Sequence, residues 1–160
     1  MLQTYIGVEP DPDSFEVLSE QLQIRGMRPI SSLFQAAVAA TDGTATFDIK
    51  GESWSHRLSD QGSLQVKTLS INSILDHAGL DQVDLLKLDI EGGEKQVLEV
   101  LPTWRKRVRN IVVELHQEWD PLNFDWFTSV VRASGHIPMS PGTLFGRLPG
   151  AVREDLELGS

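Results

Sequence analysis

The chain has 160 residues, and 14 lysines and arginines against 23 aspartates and glutamates give a formal charge of −9. That length suits one globular domain over residues 1–160, and a composition 40% hydrophobic and 23% charged supports a sizeable core and argues against disorder. The acidic balance argues against nucleic acid or an anionic membrane as a broad partner, and with 0 Cys there is no disulfide, thiolate nucleophile or Cys-ligated metal. No apolar run approaches the roughly 20 residues that span a bilayer. Met1 to Tyr5 carries no basic region of a signal peptide, and the lack of Cys fits a reducing, cytoplasmic compartment.

Tyr5-Ile6-Gly7-Val8 reads as a buried strand ending near Glu9. Asp11 then caps a helix with Pro12 at its first position; Phe15, Leu18 and Leu22 recur at helical spacing, and Gly26 closes it. Leu33 to Ala40 reads as a second buried strand, Asp42-Gly43 as a turn, and Thr44 to Ile49 as half of a hairpin. Leu64 to Thr68 is another strand. Ser70 caps a helix with Ile71, Ile74, Leu75 and Ala78 on one side and Gly79 at its end.

Val83 to Ile90 is the strongest strand, apolar on both faces as a strand covered on both sides would be. After Gly92-Gly93, Glu94 to Trp104 is predicted helical, with Arg105, Lys106 and Arg107 at its C-terminal end. Ile111 to Leu115 is a further strand. Trp126 to Ser134 is a helix closed by Gly135, and the tail from His136 holds one hairpin. Strands alternating with helices predict an α/β fold, a Rossmann-like, mostly parallel sheet with helices on both faces.

In such sheets ligands bind beyond the carboxyl ends of the strands. Three groups of residues lie there. Glu9 either takes both hydroxyls of a ribose or simply starts the first helix. In Lys87-Leu88-Asp89-Ile90-Glu91-Gly92-Gly93-Glu94, alternation puts Lys87 and Asp89 on one face with Glu91 at the exit. Those charges either face a cleft or form a Lys87–Asp89 pair with Glu91 and Glu94 in a first helical turn. Glu114 and His116 share one face of their strand and would converge with Asp89 if the two strands are neighbours, as a general base or as ligands of a divalent ion. The spacing is not diagnostic of a metal site. His56, His77, His136, Trp54, Trp119 and Trp126 read as surface or core residues.

Taken in order, Val8-Glu9-Pro10-Asp11-Pro12 with Phe15 and Leu18, Ala36-Ala37-Val38, Thr68-Leu69-Ser70-Ile71, Asp84 to Glu94 with Val97-Leu98, and Ile111 to His116 resemble the FkbM-type methyltransferases. The Lys-x-Asp-x-Glu-Gly-x-Glu stretch is the most specific part, and the likeness runs from about Tyr5 to His116. It implies a class I enzyme that uses S-adenosylmethionine to methylate a hydroxyl of a small-molecule acceptor, a sugar or natural product. By that resemblance Glu9, with Pro10 beside it, holds the cofactor ribose and Ala37 lies near the adenine. Asp89 sits by the methyl-donor end, Glu91 and Glu94 shape the loop, and Glu114 and His116 face the acceptor.

One departure stands out. Family members open with a strand and a Gly-rich turn that cradles the methionine part of the cofactor, and no such turn precedes Glu9. The strand concerned would lie centrally, between those ending at Glu9 and Ile90. Its absence predicts two open strand edges, a tendency to form a homo-oligomer, and weak or no cofactor binding by this chain alone. The chain would then be a fragment, a truncated homologue, or a sheet closed by direct strand pairing or by another subunit. A non-catalytic scaffold and a divalent-metal hydrolase using Asp89, Glu114 and His116 are the alternatives from other classes.

Overall fold

A computed structural model describes residues 4–48, 57–58, 64–90, 93–114, 123–133, 135–139 and 150–153 of the chain. Contacts divide it into two units, Met1–Gly79 and Leu80–Ser160.

In the first unit, β1 (Tyr5–Val8) pairs in parallel with β2 (Ser31–Phe34), Gly7 lying opposite Leu33. A Cβ at Gly7 would meet Leu33 Cδ2 at 2.8 Å and Leu18 Cδ2 at 3.1 Å, so the helix and the neighbouring strand both close onto this position. Helix α1 (Pro12–Ile24) begins as its sequence predicts: Asp11 Oδ1 accepts from the Ser14 N–H at 2.8 Å, and Pro12 needs no partner there. Gly26, at φ 67°, ends the segment in the left-handed region.

The strand expected over Leu33 to Ala40 is instead two strands in two sheets. Glu9 N–H bonds to Phe34 O and Ala36 N–H to Glu9 O, and there the ladder with β1 stops, because Pro10 has no N–H to extend it. The chain then forms β3 (Ala37–Val38), which pairs in parallel with β6 (Leu64–Leu69). The turn at Asp42-Gly43 leads into β4 (Gly43–Asp48), but β4 does not fold back on β3. It runs antiparallel along the other edge of β6 and carries the short β5 (Arg57–Leu58), giving the order β3-β6-β4-β5. Helix α2 (Ile71–His77) follows. Its cap Ser70 accepts from the Ser73 N–H at 3.2 Å, and Ile71, Ile74 and Leu75 are buried. Gly79, at φ 68°, closes it.

In the second unit β7 (Val83–Leu88) and β8 (Val108–Val113) are parallel, with Leu86 beside Ile111 and Leu88 beside Val113. The tail does form a hairpin, β9 (His136–Met139) with β10 (Gly150–Arg153), and β10 lies antiparallel against β8, giving the order β7-β8-β10-β9. The helix expected from Glu94 to Trp104 is split into α3 (Glu94–Glu99) and α4 (Leu101–Trp104). Pro102 accounts for the break, since its ring would clash with the Leu98 carbonyl and its nitrogen cannot donate. The Trp104 indole N–H turns back to Val97 O at 3.4 Å and serves one of the carbonyls orphaned at the end of α3.

The basic run does not sit at the end of one long helix. It forms a 3-10 turn in which Arg107 donates to Asp81 O and Leu80 O at 3.0 and 2.7 Å, tying down the entry to β7. Val97, Leu98, Leu101, Trp104, Val108, Ile111 and Val113 are buried, as are Phe127 and Val131 of α5 (Asn123–Ala133), which Gly135 closes at φ 78°.

The α/β class stands, with parallel pairing in β1–β2, β3–β6 and β7–β8 and antiparallel pairing brought in by β4, β5 and the tail hairpin. Among the described residues β1 is laddered only to β2 and β7 only to β8. The full coverage expected of β7 does not hold: Leu85 is 60% exposed. No helix among the described residues is long and apolar enough to cross a membrane.

Candidate active site

In the second unit the site is built by the parallel register of β7 and β8. One step beyond the Leu88–Val113 pair come Asp89 and Glu114, and the Glu114 N–H bonds to Leu88 O at 2.9 Å. The two carboxylates are therefore carried side by side out of the carboxyl ends of adjacent strands. Lys87 joins them: its Nζ lies 2.5 Å from Asp89 Oδ2 and 3.9 Å from Glu114 Oε2. The Lys87–Asp89 pair is one of the two arrangements that alternation left open, and the neighbouring strands bring Glu114 to the same lysine. Alternation did not foresee that one lysine would serve both. All three side chains keep substantial solvent exposure, so their mutual attraction is screened. Together they carry one net negative charge.

Behind Asp89 the chain is held tightly. Glu94, the first residue of α3, is fully buried, and its Oε1 accepts from the Ile90 N–H at 3.1 Å. A Cβ on Gly93 would approach Ile90 Cδ1 at 3.1 Å, so glycine eases the close return of the loop. Glu91 and His116 lie outside the described residues.

In the first unit Glu9 follows β1. Its Oε1 accepts from the Asp11 N–H at 2.9 Å, while Asp11 in turn caps α1. The half-buried carboxylate is thus fixed by its own turn, the arrangement that the helix-start reading requires and that also pre-orients an acceptor for hydroxyls. Pro10 is half-buried beside it. Ala37 is buried opposite Thr68 and packs with Val66 and Leu64.

Sequence reasoning missed a second carboxylate in this unit. Asp42, read as a turn residue, accepts from the Ser70 N–H at 2.7 Å and the Ser73 hydroxyl at 2.6 Å. Those bonds, Ser73's foremost, hold its carboxyl below the ordinary value of 3.8. Asp42, Ser70 and Ser73 thus clamp the start of α2, while His77 Nδ1, at its end, lies 2.6 Å from Ser73 O, a backbone contact and not a nucleophile–base pair. No group of three or more His, Cys, Asp or Glu side chains among the described residues is placed to hold a metal ion.

The chain has clear relatives. The Methyltransferase FkbM domain family matches residues 1–139, and the chain belongs to that family. It is similar to the hexuronic acid methyltransferase AglP of Haloferax volcanii, 26% identical over 131 residues, which make up 81% of this chain and 54% of that protein. The crystal structure of methyltransferase FkbM from Methylobacillus flagellatus KT superposes with a TM-score of 0.57 and 12% identity, covering 94% of this chain and 36% of that one. That likeness supports the shared fold. The chain spans about half the length of the curated relative it matches.

Proposed function

We propose that the chain is the carboxylate-bearing part of an S-adenosylmethionine-dependent O-methyltransferase acting on a sugar hydroxyl. The observation that carries this is the convergence of Asp89 and Glu114 around Lys87 beyond β7 and β8 in a chain of the FkbM family. The name of the Haloferax relative favours a sugar, with acidic sugars among the acceptors to try first.

The residues fit the cofactor's polar end. Glu9 is held by the Asp11 N–H in one orientation, as an acceptor for the ribose hydroxyls should be. Pro10 fixes the turn beside it; Ala37 and Glu91 are donor-side candidates on the resemblance alone. When bound, the cofactor supplies a methyl group on a positively charged sulfur. Asp89 offers that charge a carboxylate, and Lys87 keeps the carboxylate in place. Glu114, with His116, would orient the acceptor hydroxyl and take up its proton as the oxygen–carbon bond forms, while the carbon–sulfur electron pair stays with sulfur.

The test is titration of the full chain with S-adenosylhomocysteine, followed by amide chemical shifts. Low-affinity but saturable binding is expected, weakened about tenfold or more by Glu9→Ala, a loss of about 1.4 kcal/mol. No perturbation at millimolar ligand would overturn the reading for this chain. It would favour a non-catalytic scaffold, the alternative that the lack of a Gly-rich turn before Glu9 supports.

A further inference from the structure

Glu94 is a fully buried carboxylate to which the transfer chemistry assigns no role. Burying a carboxylate costs far more than burying an apolar group of the same size, so its hydrogen bonds have to hold it there. It opens a helix of six residues, Glu94–Glu99, too short to be stable on its own. Its Oε1 reaches back four positions to the Ile90 N–H at 3.1 Å.

That N–H belongs to the peptide unit whose carbonyl is Asp89's. Fixing the plane of this peptide fixes the backbone torsion from which the Asp89 side chain departs. Lys87 meets the Asp89 carboxylate at 2.5 Å, and Glu94 holds the peptide that follows it. An added Cβ at Gly93 would lie 3.1 Å from Ile90 Cδ1, so Gly93 and Ile90 lie close together.

We propose that Glu94 is a positioning residue for Asp89, acting through the Asp89–Ile90 peptide and not through contact with either substrate. The inference rests on the reading of Asp89 as the donor-side carboxylate. Glu94→Gln keeps an acceptor oxygen at the same reach, whereas Glu94→Ala removes it.

Both variants of the full chain are compared by hydrogen exchange at the Ile90 amide and by affinity for S-adenosylhomocysteine. Glu94→Ala should speed Ile90 exchange beyond what its change in global stability explains and weaken binding about tenfold; Glu94→Gln should restore both to within about threefold. Unchanged Ile90 exchange in Glu94→Ala, or a Gln variant as impaired as Ala, overturns the proposal. If Glu94→Ala does not fold, Glu94→Gln decides alone: retained protection and binding support the proposal, and their loss overturns it. If the unaltered chain binds no S-adenosylhomocysteine, the donor-side reading of Asp89 fails separately, and Ile90 exchange still decides whether Glu94 holds the peptide.

Discussion

Lys87 and Asp89, two residues apart at the exit of β7, meet at 2.5 Å, and the same ammonium lies 3.9 Å from Glu114 on the neighbouring strand. One cation thus stands between two carboxylates that parallel pairing would otherwise bring together uncompensated. The arrangement offsets one of the two carboxylate charges and leaves one net negative charge. That charge suits a cationic sulfur better than an anionic ligand.

Lys87→Met tests this balance. The ion pairs are largely exposed, so the change should alter stability by no more than about 1 kcal/mol. Its effect should appear in ligand preference. On the donor-side reading proposed for Asp89, removing the cation strengthens the negative field at the strand ends, and affinity for S-adenosylmethionine should rise severalfold relative to S-adenosylhomocysteine, whose sulfur is uncharged. The gap should narrow with added salt. An unchanged ratio of the two dissociation constants would remove Lys87 and its partners from the donor site.

Asp42 gives the fold a pH dependence of defined sign. Its carboxyl is lowered by the Ser73 hydroxyl, then by the Ser70 N–H. A group whose folded value is depressed contributes stability in full above its ordinary value, here 3.8, and loses it as pH falls through the lower folded value. Asp42→Asn should therefore be less stable than the unaltered chain at pH 7, and the difference should shrink below pH 3.8. Urea midpoints measured for both proteins at neutral and acid pH check it. A difference that is constant with pH would mean that the charge of Asp42 does not matter.

Gly7 and Gly79 are predicted to resist alanine for opposite reasons. At Gly79, φ is 68° and an added Cβ would meet nothing within 4 Å, so the cost is that of the left-handed backbone alone, about 1 kcal/mol. Asn, which tolerates this region, should recover part of it. At Gly7 an added Cβ would meet Leu33 Cδ2 at 2.8 Å, so the cost is overpacking, about 1–3 kcal/mol. Trimming Leu33 to Ala should relieve the crowding at Gly7 and leave Gly79→Ala unaffected. Additive double mutants at both sites would refute the distinction.

The sequence was most legible where the signals are local. Asp11, Ser70, Gly26, Gly79 and Gly135 all act as the helix boundaries that their types suggest, because caps and left-handed turns depend on a few adjacent residues. The emergence of Glu114 on the face of Lys87 and Asp89 was readable once the two strands are neighbours, since parallel pairing with period-2 alternation sets that face. Partnerships set by tertiary register were not legible. Asp42 reaches Ser70 and Ser73 across 28 and 31 positions, and nothing near Asp42 marks it as more than a turn residue. β4 pairs with β6 and not with β3, a choice made by sheet order and not by its turn. The break at Pro102 was within reach of sequence reasoning, but the apolar periodicity running through it pointed to a continuous helix.

The open edge of β7 carries the last prediction. β8 ladders one side of the strand, no described strand ladders the other, and Leu85 is 60% exposed. A strand edge that no described strand ladders, with an exposed leucine on the strand, can take a second copy of the chain. We expect self-association that grows with concentration and is visible as an increasing average mass in sedimentation. Leu85→Lys places a charge on this strand at little cost to the fold, within about 0.5 kcal/mol for an exposed site. It should shift the association to markedly higher concentration, whereas Val17→Lys on α1, also exposed, should not. Equal effects of the two substitutions would assign the association to general surface charge, and a monomer at all concentrations would show that this edge takes no second copy.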